Sequence, residues 1–95
     1  MKVSLTDSAV NDLKEVLKYY EERLVAEVGH RFVEEIIERI ETLIEHPEIG
    51  RVVPEYSNSG IRELIHPPYR VVYLKEESSI FVVRIWRSER ILRLP

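Results

Sequence analysis

Arginine is unevenly distributed along this 95-residue sequence, and its concentration in the second half points to binding chemistry. Residues 51–95 contain seven arginines, one lysine and five glutamates, whereas residues 1–50 contain six Lys or Arg against twelve Asp or Glu. The planar guanidinium group forms paired hydrogen bonds with carboxylates and phosphates, a geometry that a merely solubilising surface does not need. We therefore expect the second half to bind acidic groups. The alternative is that each arginine forms a cross-strand ion pair with a glutamate of the same half.

The arginines that we expect to form a functional basic patch are Arg62, Arg70, Arg87 and Arg90. The first two lie in apolar, strand-like segments, where a residue that only filled a core would be Val or Ile. None of the four can act as a general base, because guanidinium stays protonated above about pH 12. His66 and Tyr73 are the remaining candidates for proton transfer. We expect His66 to be a turn residue and Tyr73 to lie in the core with its hydroxyl at the rim, so no catalytic residue is assigned.

Two amphipathic helices are predicted in the first half, after a short strand at 2–5. Thr6 opens the N-cap sequence of the first helix, and Gly29 is interpreted as the residue that ends it. The predicted apolar stripe of helix 1 is Ala9, Leu13, Val16, Leu17, Tyr20 and Leu24. The stripe of helix 2 is Val33, Ile36, Ile37, Ile40, Leu43 and Ile44. A glutamate row on helix 2, at positions 34, 38, 41 and 45, lacks the histidine spacing of a metal site and is interpreted as a solvated face.

Three strands are predicted in the second half, at 61–65, 69–75 and 79–86, after a proline at position 47 ends helix 2 and residues 51–59 form a loop. Short turns between the strands predict an antiparallel meander. The fold class is therefore α+β, with the order β-α-α-β-β-β and a helical hairpin packed on a small antiparallel sheet. Residues 1–95 are expected to form a single domain.

Alternation in the last strand predicts which side chains face the helices. Phe81, Val83 and Ile85 share one parity and are expected to point inward. Ile80, Val82, Arg84 and Trp86 share the other parity, which places them on the outer face. Because Trp and Arg are enriched among residues that dominate protein interfaces, Arg84 and Trp86 are predicted to bind a partner.

Composition excludes several classes of protein. There is no cysteine, so disulfides and thiolate metal sites are ruled out. We expect no metal and no cofactor. The sequence shows neither a secretory signal nor an apolar run of about 20 residues that would cross a bilayer, so a cytoplasmic protein is expected. The formal net charge of −3 opposes binding to a polyanion as a whole.

Six short segments in a fixed order carry a resemblance to a known family. They are S-L-T-D-S-A-V-N-D-L at 4–13, the pair Tyr19-Tyr20, L-I-E-H-P-E-I-G at 43–50, G-I-R-E-L at 60–64, Y-R-V-V-Y at 69–73 and R-I-W-R-S-E-R at 84–90. Together they span nearly the whole chain. In these segments the sequence resembles the RelE/ParE superfamily, the toxins of type II toxin–antitoxin systems.

The resemblance implies a small toxin that a cognate antitoxin neutralises. Two different activities occur in the superfamily. RelE-like members cleave messenger RNA on the ribosome, whereas ParE-like members are described as poisoning DNA gyrase. The segment R-I-W-R-S-E-R has Arg87 where the family often has histidine, which is nearer to the ParE-like branch. The alternatives are a RelE-like ribosome-dependent endoribonuclease and an inactive remnant that only binds the antitoxin. A homodimer and a toxin–antitoxin hetero-oligomer both remain open.

Overall fold

Two helices pack on one face of a five-stranded sheet in the computed structural model, which describes residues 1–56 and 60–88. The elements are β1 (Lys2–Leu5), α1 (Asp7–Glu22), α2 (Ala26–Glu41), β2 (Arg51–Val52), β3 (Ile61–His66), β4 (Tyr69–Lys75) and β5 (Ser79–Arg87). A short 3-10 turn, Thr42–Ile44, continues α2. The predicted α+β class is confirmed, and β2 is a strand that the prediction missed. Neither helix of these residues has the length and apolar character needed to cross a bilayer.

The sheet has the strand order β1-β5-β4-β3-β2. The antiparallel meander of β3, β4 and β5 is confirmed. However, β1 pairs with β5 in parallel, from Lys2 opposite Ser79 to Leu5 opposite Val82. The sheet is therefore mixed, and the prediction of an antiparallel sheet was wrong in this respect. The sequence pattern predicted β1 as a strand. It did not predict the direction of its pairing, because that depends on where the rest of the chain places β5 beside it.

The helical hairpin is closer packed than the sequence suggested. Gly29 lies inside α2 rather than at the end of α1, and a Cβ atom there would stand 3.1 Å from the Cβ of Tyr20. The prediction that Gly29 ends α1 was wrong; the missing side chain lets the two helices approach. Leu24, Ile37 and Ile44 were predicted in the apolar stripes, yet all three are exposed. Leu24 belongs to the turn between the helices, which is sharper than expected.

Each face of the sheet has its own apolar cluster. The main core lies between the helices and the sheet and includes Ala9, Leu13, Val16, Ile36, Ile40, Leu43, Val71, Tyr73, Ile80, Val82 and Ile85. On the outer face, Val53 and Val72 are buried with Tyr56 and Trp86 packed against them. The segment that follows β2 therefore covers part of the outer face.

A β-bulge in β5 changes which residues face the helices. Tyr73 pairs with Val82 but Val72 pairs with Arg84, so Val83 is an extra residue on β5. Before the bulge, Ile80 and Val82 point into the main core, contrary to the predicted outer placement. Phe81 and Val83 are not in that core, so their predicted inward orientation was also wrong. After the bulge the parity reverses, and Ile85 points inward while Trp86 joins the outer cluster, as predicted.

Candidate functional site

Arg70 is buried in a charged network on the outer face of the sheet. Its Nε donates to Oε1 of Glu63 at 2.7 Å, and its two terminal nitrogens donate to the carboxylate of Glu55, each at 3.0 Å. The other oxygen of Glu63 accepts a 2.7 Å hydrogen bond from Arg51. The hydrogen bonds with Glu55 raise the pKa of Arg70 and outweigh the opposing effect of burial. Arg70 is only 6% exposed, so the prediction that it belongs to an accessible patch was wrong.

Arg62 lies on the opposite face of the sheet from Arg70. Its partner across the ladder is Tyr73, which belongs to the main core, whereas Arg70 pairs with Ile65. The Arg62 guanidinium donates to the carbonyl oxygen of Gly50 at 2.8 Å. It thereby fastens the loop that precedes β2. The two arginines were predicted to share a patch, but alternation along β3 and β4 separates them.

The two candidate proton carriers are held in structural hydrogen bonds. The Tyr73 hydroxyl accepts from the Gly50 amide and donates to the Pro47 carbonyl, both at 3.0 Å. Burial raises the pKa of Tyr73, which keeps the phenol protonated. His66 ends β3 instead of lying in a turn, and its Nε2 is 3.0 Å from Oε1 of Glu35 on α2. Tyr73 is fully buried, so the expected position of its hydroxyl at the rim was wrong as well.

A groove of about 490 Å³ runs between α1 and the C-terminal half of β5. Arg84 closes part of its floor by binding Asp12 of α1 through two hydrogen bonds, at 2.8 and 2.9 Å. Asp12 also accepts the Ile85 amide at 2.8 Å, because β1 has already ended and leaves this edge of β5 to α1. The Arg84 guanidinium lies 4.3 Å from the ring centroid of Trp86. Arg84 is therefore fixed by both a carboxylate and an aromatic ring.

One end of this groove is formed by Tyr19, Arg23, Tyr69 and Arg87, and we call it the arginine–tyrosine end. The Arg23 guanidinium lies 3.5 Å from the centroid of the Tyr19 ring, and that of Arg87 lies 5.5 Å from the same centroid. Arg87 also lies 5.7 Å from the centroid of the Tyr69 ring. Burial raises the pKa of Tyr69, so it stays a neutral partner.

The predicted site residues therefore fall into separate groups. Arg84, Trp86 and Arg87 come together along the groove, whereas Arg62 and Arg70 serve other regions of the sheet. Arg90 lies outside the described residues. Arg23 was not predicted as a site residue, although its i, i+4 spacing from Tyr19 on a helix is a signal for a cation–aromatic contact. In the part of the chain that the structure describes, no three His, Asp or Glu side chains are arranged to hold a metal ion.

Comparison with known proteins places this architecture in a family. The sequence matches the family model described as the ParE toxin of type II toxin-antitoxin system, parDE, over residues 3–92. No curated protein matches the sequence. Among solved structures, a chain of the chromosomal ParDE TA system from P. aeruginosa has the same fold, with a TM-score of 0.79 at 24% identity over 94% of this chain and 97% of that chain. The chain therefore belongs to the ParE toxin family of type II toxin–antitoxin systems.

Proposed function

We propose that this protein arrests growth by binding and inhibiting DNA gyrase and that a cognate antitoxin neutralises it by binding the same chain. The observation that carries the proposal is the match to the ParE toxin family over residues 3–92. A toxin of this kind needs a recognition surface and does not need a proton relay. The engagement of His66 and Tyr73 in structural hydrogen bonds supports the binding mechanism over RNA cleavage.

The arginine–tyrosine end has the chemistry of a protein-binding surface. Arg23 and Arg87 each lie within cation–π distance of the Tyr19 ring, which holds their guanidinium groups in place. Tyr and Arg side chains dominate the binding energy of many interfaces. Immobilised before contact, these side chains lose less conformational entropy on binding than free arginines would.

The adjoining groove supports the proposal of an antitoxin partner. It is a concave surface lined by Arg84 and Trp86, and the buried Nε1 of Trp86 has no hydrogen-bond partner among the described residues. A polypeptide segment lying in the groove can supply side chains to this wall. Arg84 and Trp86 remain predicted partner-binding residues.

Induced expression of the chain without an antitoxin tests the proposed activity. DNA synthesis should stop before protein synthesis, and the purified chain should inhibit DNA supercoiling by purified gyrase. Early appearance of new 5′ ends in translated messages, with DNA synthesis intact, would instead identify a ribonuclease and refute the proposal.

Charge reversal at the arginine–tyrosine end provides a matched comparison. Arg87→Glu should weaken growth arrest, because it places a carboxylate beside the Tyr19 and Tyr69 rings where a cation now lies. Lys14→Glu reverses a charge at an exposed position of α1 outside the groove and should leave growth arrest unchanged. Equal toxicity of the two variants would exclude Arg87 from the working surface.

A further inference from the structure

The turn between α1 and α2 has an unusual residue at a position that normally requires glycine. The amide of Leu24 donates to the carbonyl of Glu21, and the amide of Val25 donates to the carbonyl of Tyr20, both at 3.0 Å. With Arg23 as the C-cap of α1, these two bonds form a Schellman motif. The residue after the cap must adopt the left-handed conformation, and Leu24 does so with φ at 61°.

The Leu24 side chain contributes nothing to the stability of the isolated fold. Its Cβ is disfavoured by the left-handed backbone, which Gly or Asn adopts far more readily. Its side chain is 91% exposed, so folding removes almost none of its apolar surface from water. Both the backbone conformation and the exposure are therefore unfavourable in the isolated chain, and a partner that covers the leucine relieves the exposure.

We propose that Leu24 is a docking knob, a single projecting side chain that inserts into an apolar pocket on a folded protein partner. A convex side chain at the tip of a helical hairpin is buried only by a concave surface. Arg23, the residue before it, belongs to the arginine–tyrosine end, which we propose as the surface that arrests growth. The knob therefore contacts the toxin's target, and this identification of the partner rests on the proposed function.

Arg23 defines the chemistry expected at the rim of that pocket. It precedes Leu24, its NH1 donates to the Tyr19 carbonyl at 3.0 Å, and its guanidinium is stacked on the Tyr19 ring. Within residues 1–56 and 60–88, no carboxylate lies within ion-pair distance of Arg23. A positive charge fixed beside an exposed leucine fits an apolar pocket with an acidic rim.

The knob predicts a separation between stability and function. Leu24→Asn keeps a residue that tolerates the left-handed conformation but removes the apolar side chain, and Leu24→Gly removes both the side chain and the backbone conflict. Neither variant should lower the melting temperature, and both should still form the complex with the antitoxin. The toxin concentration that half-inhibits gyrase supercoiling should rise by at least about tenfold, the size of effect expected when the burial of one leucine side chain is lost.

Ile49→Asn provides the control, because Ile49 is another exposed apolar residue, at 59%, and lies away from the hairpin turn. It should keep full inhibition. Undiminished growth arrest and gyrase inhibition by Leu24→Asn would overturn the knob, as would a lower melting temperature of both Leu24 variants. Loss of antitoxin binding with toxicity retained would overturn its assignment to the target. If the wild-type chain arrests growth without inhibiting gyrase, the proposed target is wrong, and the growth assay of Leu24→Asn still decides the knob.

Discussion

Arg70→Met is expected to destabilise the fold severely, because it breaks a buried ion-pair network. Arg70 binds Glu63 and Glu55, and the Glu63 side chain is fully buried. Removing one partner of a buried ion pair typically costs 3–5 kcal/mol. Arg51, whose side chain is 61% exposed, still binds Glu63 in the variant, so we take the lower limit, about 3 kcal/mol. For a domain of this size, that loss lowers the melting temperature by about 12–24 °C.

Thermal and urea unfolding of three variants measure this effect. Arg70→Met should lose about 3 kcal/mol of unfolding free energy, whereas Arg51→Met, at a mostly exposed position, should lose less than about 1 kcal/mol. The double variant Arg70→Met/Glu63→Leu should recover most of the loss, because it also removes the buried carboxylate that Arg51 alone would have to compensate. A loss below about 1 kcal/mol for Arg70→Met alone, or no recovery in the double variant, would refute the reasoning.

Three further outcomes follow from the same contacts. Gly50→Ala should lower the unfolding free energy by about 3 kcal/mol, because its Cβ would lie 2.6 Å from the Tyr73 hydroxyl oxygen. Gly29→Ala, whose Cβ would have its nearest contact at 3.1 Å, should lower it less, and urea titration of both variants compares them. Burial raises the folded-state pKa values of Tyr69 and Tyr73 above 10.0, so the stability that each neutral phenol contributes is complete below that pH and is lost as the pH rises through its folded-state pKa. The unfolding free energy should therefore fall in alkali, and its slope against pH should be smaller in Tyr73→Phe; alkaline unfolding of both chains checks this. Binding of the antitoxin should weaken with added salt and weaken further in Arg87→Glu; a salt-independent affinity that the variant leaves unchanged would contradict it.

Local sequence patterns predicted most helices and strands, but they did not predict the features that depend on pairing between strands distant in sequence. Alternation and turn residues located β3, β4 and β5 to within one residue at each end. The bulge at Val83 left no clear sign, because β5 is apolar on both parities from Ile80 to Val83. The parallel pairing of β1 and the two-residue strand β2 depend on neighbours that are distant in sequence.

The site was harder to predict than the fold, because an arginine has the same sequence signature whether it binds a partner or a buried glutamate. Arg70 was assigned to the basic patch, with a cross-strand ion pair as the alternative, and the structure shows the ion pair, with Glu63 on the neighbouring strand β3. Glu55, its second partner, lies in the segment that was predicted only as a loop. The position of Arg87 near the end of the last strand was predictable, but its contact with Tyr19 required knowledge of where α1 crosses the sheet.

Among the described residues, two arginines hold the fold together and two others lie in the groove. Arg62 fastens the loop before β2 on the helix side, and Arg70 fastens the segment after β2 on the outer face, so both hold irregular chain against the sheet. Arg23 and Arg87 line the groove, and the guanidinium of each lies within cation–π distance of the Tyr19 ring. Substitution of a structural arginine should therefore reduce stability and toxicity together. Substitution of Arg87 should reduce toxicity in a chain that still unfolds normally, and this contrast separates a working surface from a scaffold.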